Sequence, residues 1–105
     1  MNEKLAGLLG LARRAGRLTV GTDAVKESLT GRRAQLVLLA TDLSPKSEKE
    51  LRFAAGKVPL ATTGMTKEEL GRITGRQKPV GVAATEDKGF AAAMMKAVNS
   101  GNEED

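Results

Sequence analysis

A chain of 105 residues, 40% hydrophobic and 29% charged, has room for one domain with a modest core and is too apolar for a disordered one. It contains neither cysteine nor histidine, which removes disulfides, thiolate and imidazole metal ligands, nucleophilic thiols and the usual general base. Lysine and arginine number 17 against 13 acids, and three of those acids, Glu103, Glu104 and Asp105, lie in the polar C-terminal run NSGNEED, so the net charge of +4 rises to +7 once they are set aside.

Leu5, Leu8, Leu9 and Ala12 recur at i, i+3, i+4 and i+7. This predicts an amphipathic first helix that stops near Gly16, after the basic pair Arg13-Arg14. Leu18-Thr19-Val20 reads as a short strand, and Ala24, Val25, Ser28 and Leu29 mark one face of a second helix ending around Gly31. AQLVLLA (34–40) is the most strand-like run, and its unbroken apolarity predicts a strand covered on both faces. Asp42-Leu43-Ser44-Pro45 opens a third helix, with Ser44 as N-cap, Pro45 at the first helical position and Leu51, Ala54 and Ala55 facing inward. Val58-Pro59-Leu60-Ala61 reads as a short strand whose proline favours a sheet edge or a strand start.

TKEEL (66–70) is a capping box between Thr66 and Glu69, followed by the apolar side Leu70 and Ile73 and a stop at Gly75. VGVAAT (80–85) reads as a last buried strand. Phe90, Met94 and Val98 lie at i, i+4 and i+8 on a closing helix. Helices and strands alternate throughout, which predicts an α/β fold, an α-β-α sandwich with the sheet in the middle layer. Residues 1–98 are expected to form one domain and 99–105 an acidic flexible tail.

No apolar run approaches the ~20 residues needed to cross a bilayer, and the charges of the N-terminus flank its apolar part on both sides, unlike a signal peptide. The expectation is a cytoplasmic protein without a membrane partner. No paired-carboxylate or Gly-x-Ser-x-Gly pattern marks a catalytic site, and no Gly-x-x-x-x-Gly-Lys-Ser/Thr loop is present. An enzyme is therefore not expected, nor a cofactor, a metal or a small-molecule substrate. Surplus positive charge favours a polyanion partner, most often nucleic acid, against the plainer reading of a solubility charge.

Three segments are candidates for contact. Gly21-Thr22-Asp23 lies where a strand enters a helix; its free amides suit phosphate oxygens or base edges, or Gly21 makes the turn and Thr22 or Asp23 merely caps the helix. GRQKPVG (75–81) offers Arg76 and Lys78 for phosphates, Gln77 for a base, and Pro79 to preorganise the connection, or is a solvated basic loop. Arg13, Arg14, Arg17, Arg32 and Arg33 cluster in two turns and either neutralise phosphates or are exposed helix-end charges. Two phenylalanines with no tryptophan or tyrosine cannot build an aromatic stacking platform, so recognition would rest on amides, polar side chains and phosphate pairing, which suits a folded RNA.

The runs LGLARRAG, LVLLATDLSP, the Leu70-Gly71 pair before Gly75, and DKGFA together resemble the bacterial (YlxQ-type) branch of the L-seven-Ae ribosomal protein family, over about Leu5 to Val98. The resemblance implies a three-layer α-β-α sandwich with a four-stranded mixed sheet. It also implies binding of structured RNA, typically kink-turns or ribosomal RNA. The family's RNA signature is Gly-x-Asn-Glu-x-x-Lys at the start of the second helix. Gly21 matches its glycine, but Asp23, Ala24 and Glu27 stand in place of Asn, Glu and Lys, and the nearest lysine, Lys26, is one residue early. Asp only accepts hydrogen bonds and is repelled by phosphate, and a Lys-to-Glu exchange turns attraction into repulsion. The expected contact edge joins Gly21, Thr22, Asp23 and Lys26 to the loop Arg76, Gln77, Lys78, Pro79 and Val80, flanked by Arg32 and Arg33, in a monomer. The alternative is a protein-interaction module that kept the sandwich and lost specific RNA recognition.

Overall fold

The computed structural model describes the backbone of residues 2–103 and the side chains of residues 2–100. Along them run α1 (Glu3–Arg14), β1 (Thr19–Val20), α2 (Thr22–Thr30), β2 (Leu36–Leu39), α3 (Pro45–Ala55), β3 (Leu60–Thr62), α4 (Lys67–Ile73), β4 (Val82–Thr85) and α5 (Lys88–Glu103). The sheet order is β1-β4-β2-β3. β2 pairs parallel with β3 and antiparallel with β4, and β4 pairs antiparallel with β1, so the sheet is mixed. The two apolar runs of the sequence are the two central strands, and every residue of both is buried. The proline-bearing segment forms the edge strand β3, where Pro59 removes no donor from the middle of the sheet and its carbonyl accepts from the Val37 N–H at 2.9 Å.

Alternation along β2 sorts the core into two halves. Leu36 and Leu38 point toward α1, α4 and α5, where they join Leu5, Leu9, Ala12, Leu70 and Met94. Val37 and Leu39 point the other way, to Val25 and Leu29 of α2 and Leu51 and Ala55 of α3. That is the expected three-layer sandwich. Each buried Leu contributes about 1.5–3 kcal/mol relative to an exposed one, and the leucines of β2 supply this on both faces of the sheet at once. The helical stripes are narrower than the sequence periodicity suggests, since Ala24 and Ala54 are exposed.

The helix ends are closed largely by the residues their sequences nominate. Ser44 accepts from the Ser47 N–H at 3.2 Å ahead of Pro45. Thr66 accepts from the Glu69 N–H at 3.2 Å while the Glu69 carboxylate takes the Thr66 N–H at 2.9 Å. Asn2 accepts from Leu5 at 3.1 Å and donates to the Ala97 carbonyl at 2.8 Å, tying the start of α1 to α5. α5 continues to Glu103, so residues 99–103, expected as part of a tail, are helical, and residues 104–105 lie outside the described ones.

Two carboxylates carry a stability that depends on pH. Hydrogen bonding to the Thr66 backbone holds Glu69 below its ordinary 4.5. The Ser28 hydroxyl, donating at 2.6 Å, and then the Arg33 guanidinium hold Glu86 below the same value, against desolvation. A depressed folded value means that this stability is fully present above the ordinary carboxylate range and is lost as pH falls through the folded value. The thermal midpoint is therefore expected to drop on acidification below that range. In a Glu69→Gln/Glu86→Gln double variant the drop should be visibly shallower, and an identical acid profile would rule the assignment out.

Candidate nucleic-acid interface

β1 ends at Val20, which pairs with Ala83 of β4. The next residue, Gly21, donates its N–H to the Val82 carbonyl at 3.0 Å, so α2 starts directly beside the start of β4. Gly21 sits at φ 98°, ψ 155°, a region populated essentially by glycine alone. It is itself the N-cap of α2, and no side chain caps this helix. Thr22 and Asp23 are thus the first two helical residues, exposed, and neither is the cap that the plainer sequence reading makes it. The first-turn amides of α2 keep their partial positive charge at the open edge of the sheet.

The 76–80 loop is brought to the same edge by α4. The chain turns at Gly75 (φ 78°) and runs back along the helix: the Arg76 N–H donates to Gly71 at 2.8 Å and the Val80 N–H to Lys67 at 2.9 Å. Between these pins the Lys78 carbonyl lies so close to Gly71 that no Cβ fits there. The Gly81 carbonyl then accepts from Ala40 at 2.9 Å and the chain enters β4 opposite Gly21. Arg76, Gln77, Lys78 and Pro79 are exposed. Val80 is not: it is 6% exposed and its side chain belongs to the core, so it anchors the loop and has only its backbone to offer a ligand.

Two further cations belong to this surface. Lys67, missed at the sequence level, begins α4 at the edge, and its aliphatic stem passes 3.9 Å from where a Cβ on Gly81 would stand. The Arg13 guanidinium lies against Gly75, at the Arg76 end of the loop. Neither makes an ion pair among the described residues. Asp23 sits nearby in the first turn of α2, and Asp42 accepts from the Lys67 N–H at 2.8 Å. The edge is therefore not uniformly basic: its cations lie on the loop flank and its carboxylates toward α2 and the end of β2.

Three expected members are not brought together with it. Lys26 turns to α3 and pairs with Glu50 at 3.4 Å. Arg32 and Arg33 follow the C-terminal end of α2, where Leu36 pairs with Thr85, which is the opposite end of the sheet from Gly21 and Val82. Arg33 is held there by Glu86 at 3.1 Å and Glu27 at 3.5 Å. Arg17 also lies at that end, 3.9 Å from Asp87. Arg17 of the first arginine cluster thus lies at the same end as Arg32 and Arg33 of the second, while Arg13 reaches Gly75. Among the described residues no group of His, Asp or Glu could hold a metal ion, and no helix is long and apolar enough to cross a membrane.

Residues 3–95 match the model of the Ribosomal protein L7Ae/L30e/S12e/Gadd45 family. A relative from Bacillus subtilis (strain 168), named RNA-binding protein YlxQ, is 38% identical over 90 residues, covering 84% of this chain and 88% of that one. A Bacillus halodurans protein of unknown function has a similar solved structure, with a TM-score of 0.83 and 30% identity over 91% of this chain and 97% of that one. The Giardia lamblia 15.5kD RNA binding protein shares the fold at a TM-score of 0.74 and 20% identity, with 95% of this chain and 86% of that one covered. With the match running from α1 into α5, the chain belongs to the ribosomal protein L7Ae/L30e/S12e/Gadd45 family.

Proposed function

We propose that this protein is a small, non-catalytic, monomeric RNA-binding protein of the cytoplasm that takes structured RNA, ribosomal or kink-turn, at the edge shared by α2 and the 76–80 loop. The observation that carries the reading is the Gly21–Val82 hydrogen bond, which sets the uncapped start of α2 against the strand that the basic loop feeds. The similarity to an RNA-binding protein of Bacillus subtilis supports it. Lys67, Lys78, Arg76 and Arg13 would meet phosphates along the loop flank, and Gln77 a base edge. Asp23 and Asp42 repel phosphate but accept from base amino groups, so the space before α2 would receive a base edge and the backbone would pass over the loop.

The departures at Asp23, Ala24 and Glu27 bear on which RNA is bound. Glu27 is directed to Arg33, away from the edge, so the repulsion it adds there is small. Titration of the purified protein with ribosomal RNA fragments and kink-turn hairpins at several salt concentrations tests both target and surface. Lys67→Ala and Lys78→Ala are each expected to lower the salt slope by about one unit, whereas Arg32→Ala leaves it unchanged. Equal slopes and affinities in all three variants would remove the loop from the interface. The same three departures favour a second reading, a protein-interaction module, under which partners recovered with the protein persist after RNase treatment.

A further inference from the structure

The α2–α3 face carries a feature that RNA binding at the sheet edge does not use. Phe53 is 90% exposed, while the other phenylalanine, Phe90, packs against the core. Its ring borders an open groove of about 460 Å³ lined by Lys26, Lys49, Glu50, Phe53 and Ala54. The surface of the groove is an aromatic ring, a methyl group and the aliphatic stems of two lysines. It lies about 12 Å along α3 from Pro45, since eight residues separate them at 1.5 Å each, and so stands away from the edge where α3 begins.

The charges around the ring are unbalanced. Glu50, the carboxylate of the groove, is engaged by Lys26 at 3.4 Å, and Glu48 holds Arg52 at 2.9 Å. Lys49 in the groove lining, Lys46 about two turns before Phe53 on α3 and Lys57 just past the end of α3 make no ion pair among the described residues. An apolar ring framed by free ammonium groups is complementary to a ligand with apolar anchors and negative charge. We propose that this face docks an acidic amphipathic segment of a partner protein, with an apolar side chain set against Phe53 and Ala54 and carboxylates meeting Lys46, Lys49 and Lys57.

Two other occupants fit less well on the same grounds. One isolated ring cannot hold the successive bases of a nucleic-acid strand, since the chain has no second exposed aromatic among the described residues to continue a stack. A second copy of the chain would press one set of unpaired lysines against another. The proposal does not rest on RNA binding at the edge, and its test reads a different surface.

A display library of random peptides, selected on the immobilised protein, is the direct experiment. The enriched peptides are expected to carry net negative charge and apolar residues at helical spacing. In synthetic form they should lose about tenfold or more in affinity on Phe53→Ala and weaken on Lys49→Glu and with rising salt. Because Phe53 is exposed, Phe53→Ala should leave the thermal midpoint unchanged, which separates docking from folding. Enrichment of basic or neutral peptides, no enrichment, or binding indifferent to Phe53→Ala overturns the proposal. So does oligouridine binding that depends on Phe53, which would assign the ring to nucleic acid, or a Phe53-dependent dimer in sedimentation.

Discussion

Replacing Gly71 by alanine is expected to unseat the 76–80 loop and to cost the protein both stability and RNA affinity. A Cβ at this position collides with the Lys78 carbonyl, a backbone atom that cannot rotate aside as a side-chain tip could. The loop is pinned on both sides of that point, by Arg76 to the Gly71 carbonyl and by Val80 to the Lys67 carbonyl, so the added methyl must push the loop off α4 or tilt the helix. Overpacking of this kind costs about 1–3 kcal/mol. Urea unfolding should show a lower midpoint with an unchanged slope, since the surface exposed on unfolding is nearly the same. RNA titrations should show weaker binding with a reduced salt dependence, because Lys78 is displaced without being removed. Gly7→Ala, at a helical position where an added Cβ meets nothing within 4 Å, serves as the control and should lose neither. Native stability and native affinity in Gly71→Ala would show that the loop is not clamped against the helix.

The fold was largely legible because its determinants are local. Pro45 behind Ser44, the Thr66–Glu69 box and the positive-φ glycines after α1 and α4 each act within a few residues, and each falls where its spacing puts it. The continuous apolarity of AQLVLLA identified a strand covered on both faces and VGVAAT a second buried one, and they are the central pair. Strand order is a different matter. That β4 lies between β1 and β2 depends on pairings such as Val37 with Ala84, 47 positions apart, which no local pattern encodes.

The site was legible in its segments but not in its partners. Gly21 and the Arg76–Pro79 run could be picked out as a helix start and a basic loop, and family likeness placed them together. What each charged side chain does was hidden, because a lysine or arginine is assigned by the carboxylate it finds. Lys26 finds Glu50 on the next helix, and Arg33 finds Glu86 at the far end of β4, so both leave the edge that their position in the chain suggested. Lys67 was overlooked for the opposite reason: inside a capping box it reads as an ordinary first-turn residue, and only the seating of α4 against Gly81 gives it a place at that edge. The reading of Thr22 or Asp23 as a cap failed on geometry. A backbone at φ 98° ends the strand and starts the helix in one residue, leaving no room for a capping side chain before it.

That geometry sets the second large effect, expected for Gly21→Ala. An added Cβ meets no atom within 4 Å, so the cost is conformational and not steric. Holding alanine at φ 98°, ψ 155° costs about 1–3 kcal/mol, and the variant should unfold at correspondingly lower temperature. The cheapest relief is rotation of the backbone toward negative φ, which swings the Gly21 N–H away from the Val82 carbonyl and turns the first-turn amides of α2 out of line with the loop. RNA affinity should therefore fall while the salt slope stays at the wild-type value, since every cation is retained. This is the opposite signature to Lys67→Ala and Lys78→Ala, which lose slope, and the contrast separates a positioning backbone from a phosphate contact. A Gly21→Ala protein that loses stability but binds RNA as tightly as wild type, measured well below its melting temperature, would show that the α2 terminus is structural alone and would leave the loop flank as the whole interface.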